Sequence, residues 1–217
     1  CYVGTIHSFC GRLLRERPLE AGVPPSFQEV SGVEEDRRRA EAWSEFLERL
    51  ATRPASRLLR RLAQVGLRPM QLRALFRELS DNPDVHFPAR AVPLPPPERI
   101  ELVRRKLGPL LDGSLAMLPR EEPAGGWDAL QEKIRSLQFS RTYRNWEDDT
   151  VFLNELSRAF GGNQVTQYKW GVEDRARKAA KALGEEWESF KAEDSSAHQL
   201  HAHWLAYRYP ITLRFGR

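Results

Sequence analysis

The sequence predicts an all-α protein, an irregular multi-helix bundle with a short extended piece at its N-terminus. Three observations predict it. From about residue 30 onward, apolar side chains recur three and four positions apart, the spacing that gathers them on one face of a helix. The segments marked in this way begin and end at residues that start and stop helices: proline in a first turn, glycine past a last one. β-like runs are nearly absent after Val3.

The elements follow in order. In CYVGTIHSF, Tyr2-Val3-Gly4 reads as a short extended run, and the polar cluster Thr5, His7 and Ser8 marks a helix that begins at once. In SGVEEDRRRAEAWSEFLERL, Ser31 stands three residues before Glu34, a capping-box spacing, and Trp43, Phe46, Leu47 and Leu50 share one helical face. ASRLLRRLAQVG sets Leu58, Leu59 and Leu62 on one side and stops near Gly66. A helix with Pro69 at its start buries Leu72, Leu75, Phe76 and Leu79, and Asn82-Pro83 ends it. Residues 81–97 are proline-rich and read as an extended connector, stiff rather than disordered. The next helix turns Ile100, Val103, Leu107, Leu110 and Leu111 inward.

After the loop PREEPAGGWD, Trp127 to about Ser140 forms a further helix. Val151 to Phe160 forms another, with Phe152, Leu156 and Phe160 inward, and GGNQVTQYKWG follows as a turn or short irregular piece. Two long helices close the chain. The first, Glu173 to Lys191, buries Ala176, Ala180, Leu183, Trp187 and Phe190; the second, Ser196 to Leu213, buries Leu200, Trp204, Tyr207 and Ile211. Pro210 is expected to kink or end that last helix unless it is tolerated near the terminus.

Composition bounds the function. The 217 residues suffice for one domain with a sizeable core or for two small ones. With 41% hydrophobic and 29% charged residues the chain is ordinary for a soluble protein, and no apolar run nears the roughly 18 residues of a membrane span. No basic-then-apolar signal segment stands at the start. Two cysteines, Cys1 and Cys10, make no disulfide framework, so a reducing, cytoplasmic setting is expected. Lys+Arg is 34 against Asp+Glu 30, a mild basic excess that permits a nucleic-acid partner without requiring one.

No GxxxxGKS or GxxxxGKT occurs to cradle a nucleotide's phosphates, and no GxGxxG, GxSxG or HExxH. Ser8 beside His7 is no catalytic pair, because adjacent helical residues face different ways. No catalytic residue is assigned. Asp194, His198 and His201 are spaced i, i+4, i+7, which would suit three metal ligands on one helical face; a plain exposed polar face is the preferred reading, and no metal site is assigned. Three basic clusters remain. Arg57, Arg60 and Arg61, with Arg68, Arg73 and Arg77, face a single acid between residues 57 and 78. Arg135, Arg141 and Arg144 are interleaved with Tyr143 and Trp146. Lys169 leads a third set with Arg175, Lys178 and Lys181. Cations at helical spacing meet phosphates, and aromatic rings among them suit bases; the candidate DNA contacts are Arg57, Arg60, Arg61, Arg141, Arg144 and Lys169.

The stretch GTIHSFCGRLLRERPLEAGVPPSF, Gly4 to Phe27, resembles superfamily 1 DNA helicases of the UvrD/Rep type, nearest to the branch of the AddA and RecB helicase–nuclease subunits. TIHSF is similar to the motif, often called Ic, that follows a strand of the family's first RecA-like domain. WLAYRYPITLRFGR looks like the helix before its Walker B segment. The resemblance implies that residues 1–15 are a remnant of the first motor domain and residues 16–217 a helical insertion, domain 1B, lying over the DNA path. It implies that Thr5, His7 and Ser8 line the single-stranded path. The parent would use ATP and Mg2+ for DNA repair or recombination, whereas this piece would hold no cofactor and hydrolyse nothing. Its partners would be single-stranded DNA and a duplex junction, the remaining motor domains and a partner subunit, with no membrane. A helical module that docks a partner protein instead of DNA is the alternative.

Overall fold

The computed structural model describes residues 6–24, 26–27, 30, 32–52, 57–82, 84–88 and 90–216, with backbone alone for 6, 7, 215 and 216. Among the described residues there are nine α-helices and no strand. They are α1 (Ile6–Glu16), α2 (Val33–Ala51), α3 (Arg57–Gln64), α4 (Arg73–Asp81), α5 (Pro97–Met117), α6 (Ala129–Tyr143), α7 (Asp149–Ala159), α8 (Asp174–Lys191) and α9 (Ser196–Gly216). Short 3-10 turns occupy Pro69–Leu72 and Gln167–Trp170. The all-α expectation holds over these residues. The extended run Tyr2–Gly4 lies outside them, as does Ser31 of the expected capping box. The chain divides into two compact units, Cys1–Arg53 and Pro54–Arg217.

The first unit holds α1 and α2. In α2 the acids come first: Glu34 accepts from Arg37 at 2.8 Å and from Arg38 at 3.0 Å. These hydrogen bonds hold the Glu34 carboxyl down at about 2. Acids in a first turn also suit the positive end of the helix dipole. Trp43 is buried with Phe46 tilted against it, centroids 5.9 Å apart, as the periodicity predicts.

The second unit is built around α5, whose Ile100, Val103, Leu107 and Leu111 are all buried. Four helices pack on α5: α6 brings Leu130, Ile134 and Leu137, α7 brings Phe152, Leu153 and Leu156, α8 brings Leu183 and Trp187, and α9 brings Leu200 and Trp204. Large rings bury much apolar area, and a buried indole N–H is costly without an acceptor. Three are supplied: Trp187 Nε1 donates to Ser114 Oγ at 3.0 Å, Trp146 Nε1 to Ser140 Oγ at 3.1 Å, and Trp170 Nε1 to Asp128 Oδ2 at 2.7 Å.

The structure corrects several boundaries. Pro210 does not end α9, which continues to Gly216, and α5 likewise runs through Pro109. Proline removes one intrahelical donor, and in both helices apolar packing on either side of the ring outweighs that loss. Pro69 opens a 3-10 turn, and the α-helix proper starts at Arg73. Trp127 precedes α6, because Asp128 takes the N-cap: its Oδ1 accepts from Gln131 N at 2.9 Å while Gln131 Oε1 accepts from Asp128 N at 2.9 Å. The connector expected over 81–97 has no regular element among its described residues up to Pro96, and α4 ends at Asp81. It is anchored by buried Pro95 and by His203 Nε2, which donates to the Pro93 carbonyl at 3.0 Å.

Candidate nucleic-acid interface

Helix α3 is short and would be marginal alone. Two things seat it in the second unit. Leu62 and Val65 are buried, and Gly66, at φ 68, turns the chain in the left-handed region that glycine adopts without strain. A β-carbon on Gly66 would lie 2.5 Å from the Asn154 side chain of α7, so the close approach also requires glycine. Asn154 Nδ2 in turn donates to the Gln64 carbonyl at 3.4 Å, at the last residue of α3.

With Leu62 inward, Arg57 and Arg60 point to solvent and Arg61 is half-buried. None of these three has a carboxylate partner among the described residues. Beside them lies a groove of about 310 Å³ formed by α3, the connector and the end of α9. Arg61, Gln64 and Arg214 give it polar walls, Val92, Tyr207 and Ile211 apolar ones, and no carboxylate among the described residues lines it. Tyr207 is fixed by stacking on buried Trp204, ring centroids 5.4 Å apart and 15° from parallel. Arg208, on the same turn, has its guanidinium 6.0 Å from the Trp204 ring, and burial lowers its pKa. A groove with two uncompensated guanidiniums and an apolar floor is built for an anion that carries a flat or apolar body.

The other predicted contacts are engaged within the fold. Arg141 pairs with Asp112 at 2.5 Å. Arg144 reaches the buried carboxylate of Glu155 at 2.9 Å, and Arg158 reaches its second oxygen at 2.6 Å. Lys169 donates to the Gly125 carbonyl at 2.9 Å. In the third cluster, Lys178 pairs with Asp174 and Lys181 with Glu185, both exposed i, i+4 pairs of small energetic weight. Thr5 lies outside the described residues, His7 is on α1 with only its backbone described, and Ser8 is exposed on α1.

The three candidate metal ligands do not share a helical face, because Asp194 lies ahead of α9. The His198 ring meets the Lys191 carbonyl at 3.2 Å, and His201 stacks on Phe160 with centroids 4.1 Å apart. Burial, then neighbouring His198 and Arg208, lowers the His201 pKa. No cluster able to hold a metal ion occurs among the described residues.

The sequence does not single out Arg214 and Tyr207 as site residues. Periodicity puts Tyr207 on the inward face, and Arg214 lies past the expected end of the helix at Leu213. The signal that joins them is their seven-residue spacing on one continuous helix. No family model, curated protein or solved structure matches the chain.

Proposed function

We propose that this chain is the helical insertion domain of a superfamily 1 DNA helicase of the UvrD/Rep type, and that its α3–α9 groove guides DNA by its phosphates. The observation that carries the proposal is the groove itself: Arg61 and Arg214 line it, Arg57 and Arg60 stand beside it, and no carboxylate among the described residues lines it. Arginine without an internal partner is free to exchange a phosphate's counterions for itself. The resemblance of residues 4–27 to the family's motif supports the parentage, and the all-α second unit agrees with a helical insertion. ATP and Mg2+ belong to the motor domains of such a parent, since this chain has no sequence that would cradle a triphosphate. Its part is to bind and steer a strand, in a cytoplasmic repair or recombination enzyme.

The test is DNA binding by fluorescence anisotropy across salt, with an ATPase assay alongside. The chain should hydrolyse no ATP. Its affinity should fall steeply between about 50 and about 200 mM salt. Replacing Arg57, Arg60 and Arg61 together by Gln should weaken binding to all sequences and reduce the log–log salt slope by about 0.7 to 0.9 for each phosphate no longer neutralised. Salt-insensitive binding, or an unchanged slope in the triple variant, would sink the phosphate reading and leave the partner-docking alternative.

A further inference from the structure

The stretches that line the α3–α9 groove are free of acids. They lie within residues 57–65, 85–96 and 196–214, and none of the three contains an aspartate or a glutamate. The same stretches carry Arg57, Arg60, Arg61, Arg90, Arg208 and Arg214. Arg61 and Arg214 line the groove, exposed Arg90 directly precedes Ala91 of its wall, and none of these has a carboxylate partner among the described residues. The acids of the flanking elements are offset where they stand. Between the first two stretches Glu78, Asp81 and Asp84 face Arg68, Arg73 and Arg77, and Asp81 lies 4.0 Å from Arg77. On α7, which meets the end of α3 through Asn154, Asp149 is held by Arg104 at 2.7 Å and Glu155 by Arg144 and Arg158. Glu98 opens α5 beside Arg99. The surplus positive charge stays with the groove.

Size and the remaining wall narrow the occupant. A space of about 310 Å³ holds one small ligand and is far too narrow for a duplex. Val65, Val92, Pro210 and Ile211 line it together with Tyr207. Tyr143, Tyr168 and Tyr209 stand exposed on the surface, whereas Tyr207 is half-buried in a cavity wall and fixed by its stack on Trp204. A bare anion would satisfy the arginines and leave that wall wet; an apolar side chain would do the reverse. A nucleotide joins a flat ring and a phosphate in one unit, and its base can stack on an aromatic ring whatever the sequence. An acidic peptide has to bring two residues, a carboxylate and a ring, into register. A paired base keeps both faces inside its own stack.

We infer that the α3–α9 groove takes a single unpaired nucleotide of a DNA strand, its phosphate between Arg61 and Arg214 and its base against Tyr207, with Arg57, Arg60 and Arg90 receiving neighbouring phosphates. This rests on the phosphate reading of the same groove and adds the base to it, so that the groove selects single strands.

The experiment measures anisotropy on three labelled probes of about 20 nucleotides: oligo-dT, a strand with the same phosphates and no bases, and a blunt duplex. The native chain should bind oligo-dT about tenfold more tightly than the abasic strand. Tyr207→Leu should lose about tenfold on oligo-dT and stay within about twofold on the other two probes, and Tyr207→Phe, which keeps the ring, should recover the loss. Arg214→Gln should weaken oligo-dT and the abasic strand alike, since it removes a phosphate contact. A thermal midpoint is taken for each variant; if Tyr207→Leu is unfolded, the native chain's comparison of oligo-dT with the abasic strand decides alone. The base contact is overturned, with the phosphate reading intact, if Arg214→Gln weakens binding while the native chain holds both single strands equally, or if folded Tyr207→Leu loses equally on all three probes. Both readings fall together if binding ignores salt and Arg214→Gln changes nothing. Displacement of oligo-dT by poly-glutamate at equal concentration of charge would assign the groove to an acidic protein segment and overturn the nucleotide.

Discussion

Lys133 places a charge where the core would exclude one. It is buried on α6, its ammonium 4.1 Å from the centre of the Trp187 ring, donating to the Ala159 carbonyl at 3.4 Å and to the Asn163 side-chain oxygen. Burial, reinforced by Lys191 and opposed by Glu188, lowers its pKa from 10.5 to about 7. The folded chain therefore releases this proton near neutrality, whereas the unfolded chain keeps it until about 10.5. Within that window the unfolded state binds more protons, so raising the pH favours the fold; below it both states are charged and the burial cost is fully present. One group contributes at most about 1.4 kcal/mol per pH unit. Urea unfolding should show the native chain gaining about 1 to 2 kcal/mol over Lys133→Met between about pH 7 and about pH 9. The hydrogen bonds that the variant cannot make shift its curve by a constant and leave the slope informative. Parallel curves would mean that the ammonium stays charged throughout.

Among the elements, the N-terminus of α6 is the most interlocked. Asp128 caps the helix through Oδ1, and its Oδ2 accepts from Thr166 N and from Trp170 Nε1, each at 2.7 Å. Gln131 of the same cap donates to the Lys169 carbonyl at 3.1 Å. One carboxylate thus starts a helix and holds the stretch VTQYKW, which has no apolar periodicity of its own. Asp128→Ala removes a cap worth about 1 kcal/mol and strands the buried Trp170 N–H and the half-buried Thr166 N–H, so a loss of about 2 to 3 kcal/mol is expected in urea unfolding. A loss below about 1 kcal/mol would show that water replaces the side chain. The helices themselves are legible because each buries one apolar stripe, and a stripe of period 3.6 needs no partner to be seen. Trp170 and Pro210 are misplaced or unplaced by periodicity for the opposite reason. Their positions depend on partners 38 to 42 residues away, as with Asp128, Thr166 and Trp170, or on packing strong enough to carry a helix through a proline.

For the molecule as a whole, the extended core is drawn from one unit. Its buried residues run from Val65 to Trp204, all within Pro54–Arg217. A chain trimmed to residues 54–217 should therefore unfold cooperatively, with its tryptophan emission still blue-shifted; a red-shifted, non-cooperative species would show that the core needs residues 1–53. The basic face of α3 can be read from spacing alone, since Arg57 and Arg60 stand opposite Leu62 and Arg61 stands at its flank. The groove cannot, because it joins α3 to residues near 92 and 214. Nor can spacing tell the free arginines from the engaged cations: Arg141, Arg144 and Lys169 look the same until the fold brings Asp112, Glu155 and Gly125 to them. The connector before α5 has a consequence of a different kind. Pro88, Pro93, Pro95 and Pro96 lack amide hydrogens, and His203 already occupies the Pro93 oxygen. A segment so poor in donors cannot seed cross-β growth, so this exposed ribbon of chain resists fibril formation without needing a cover.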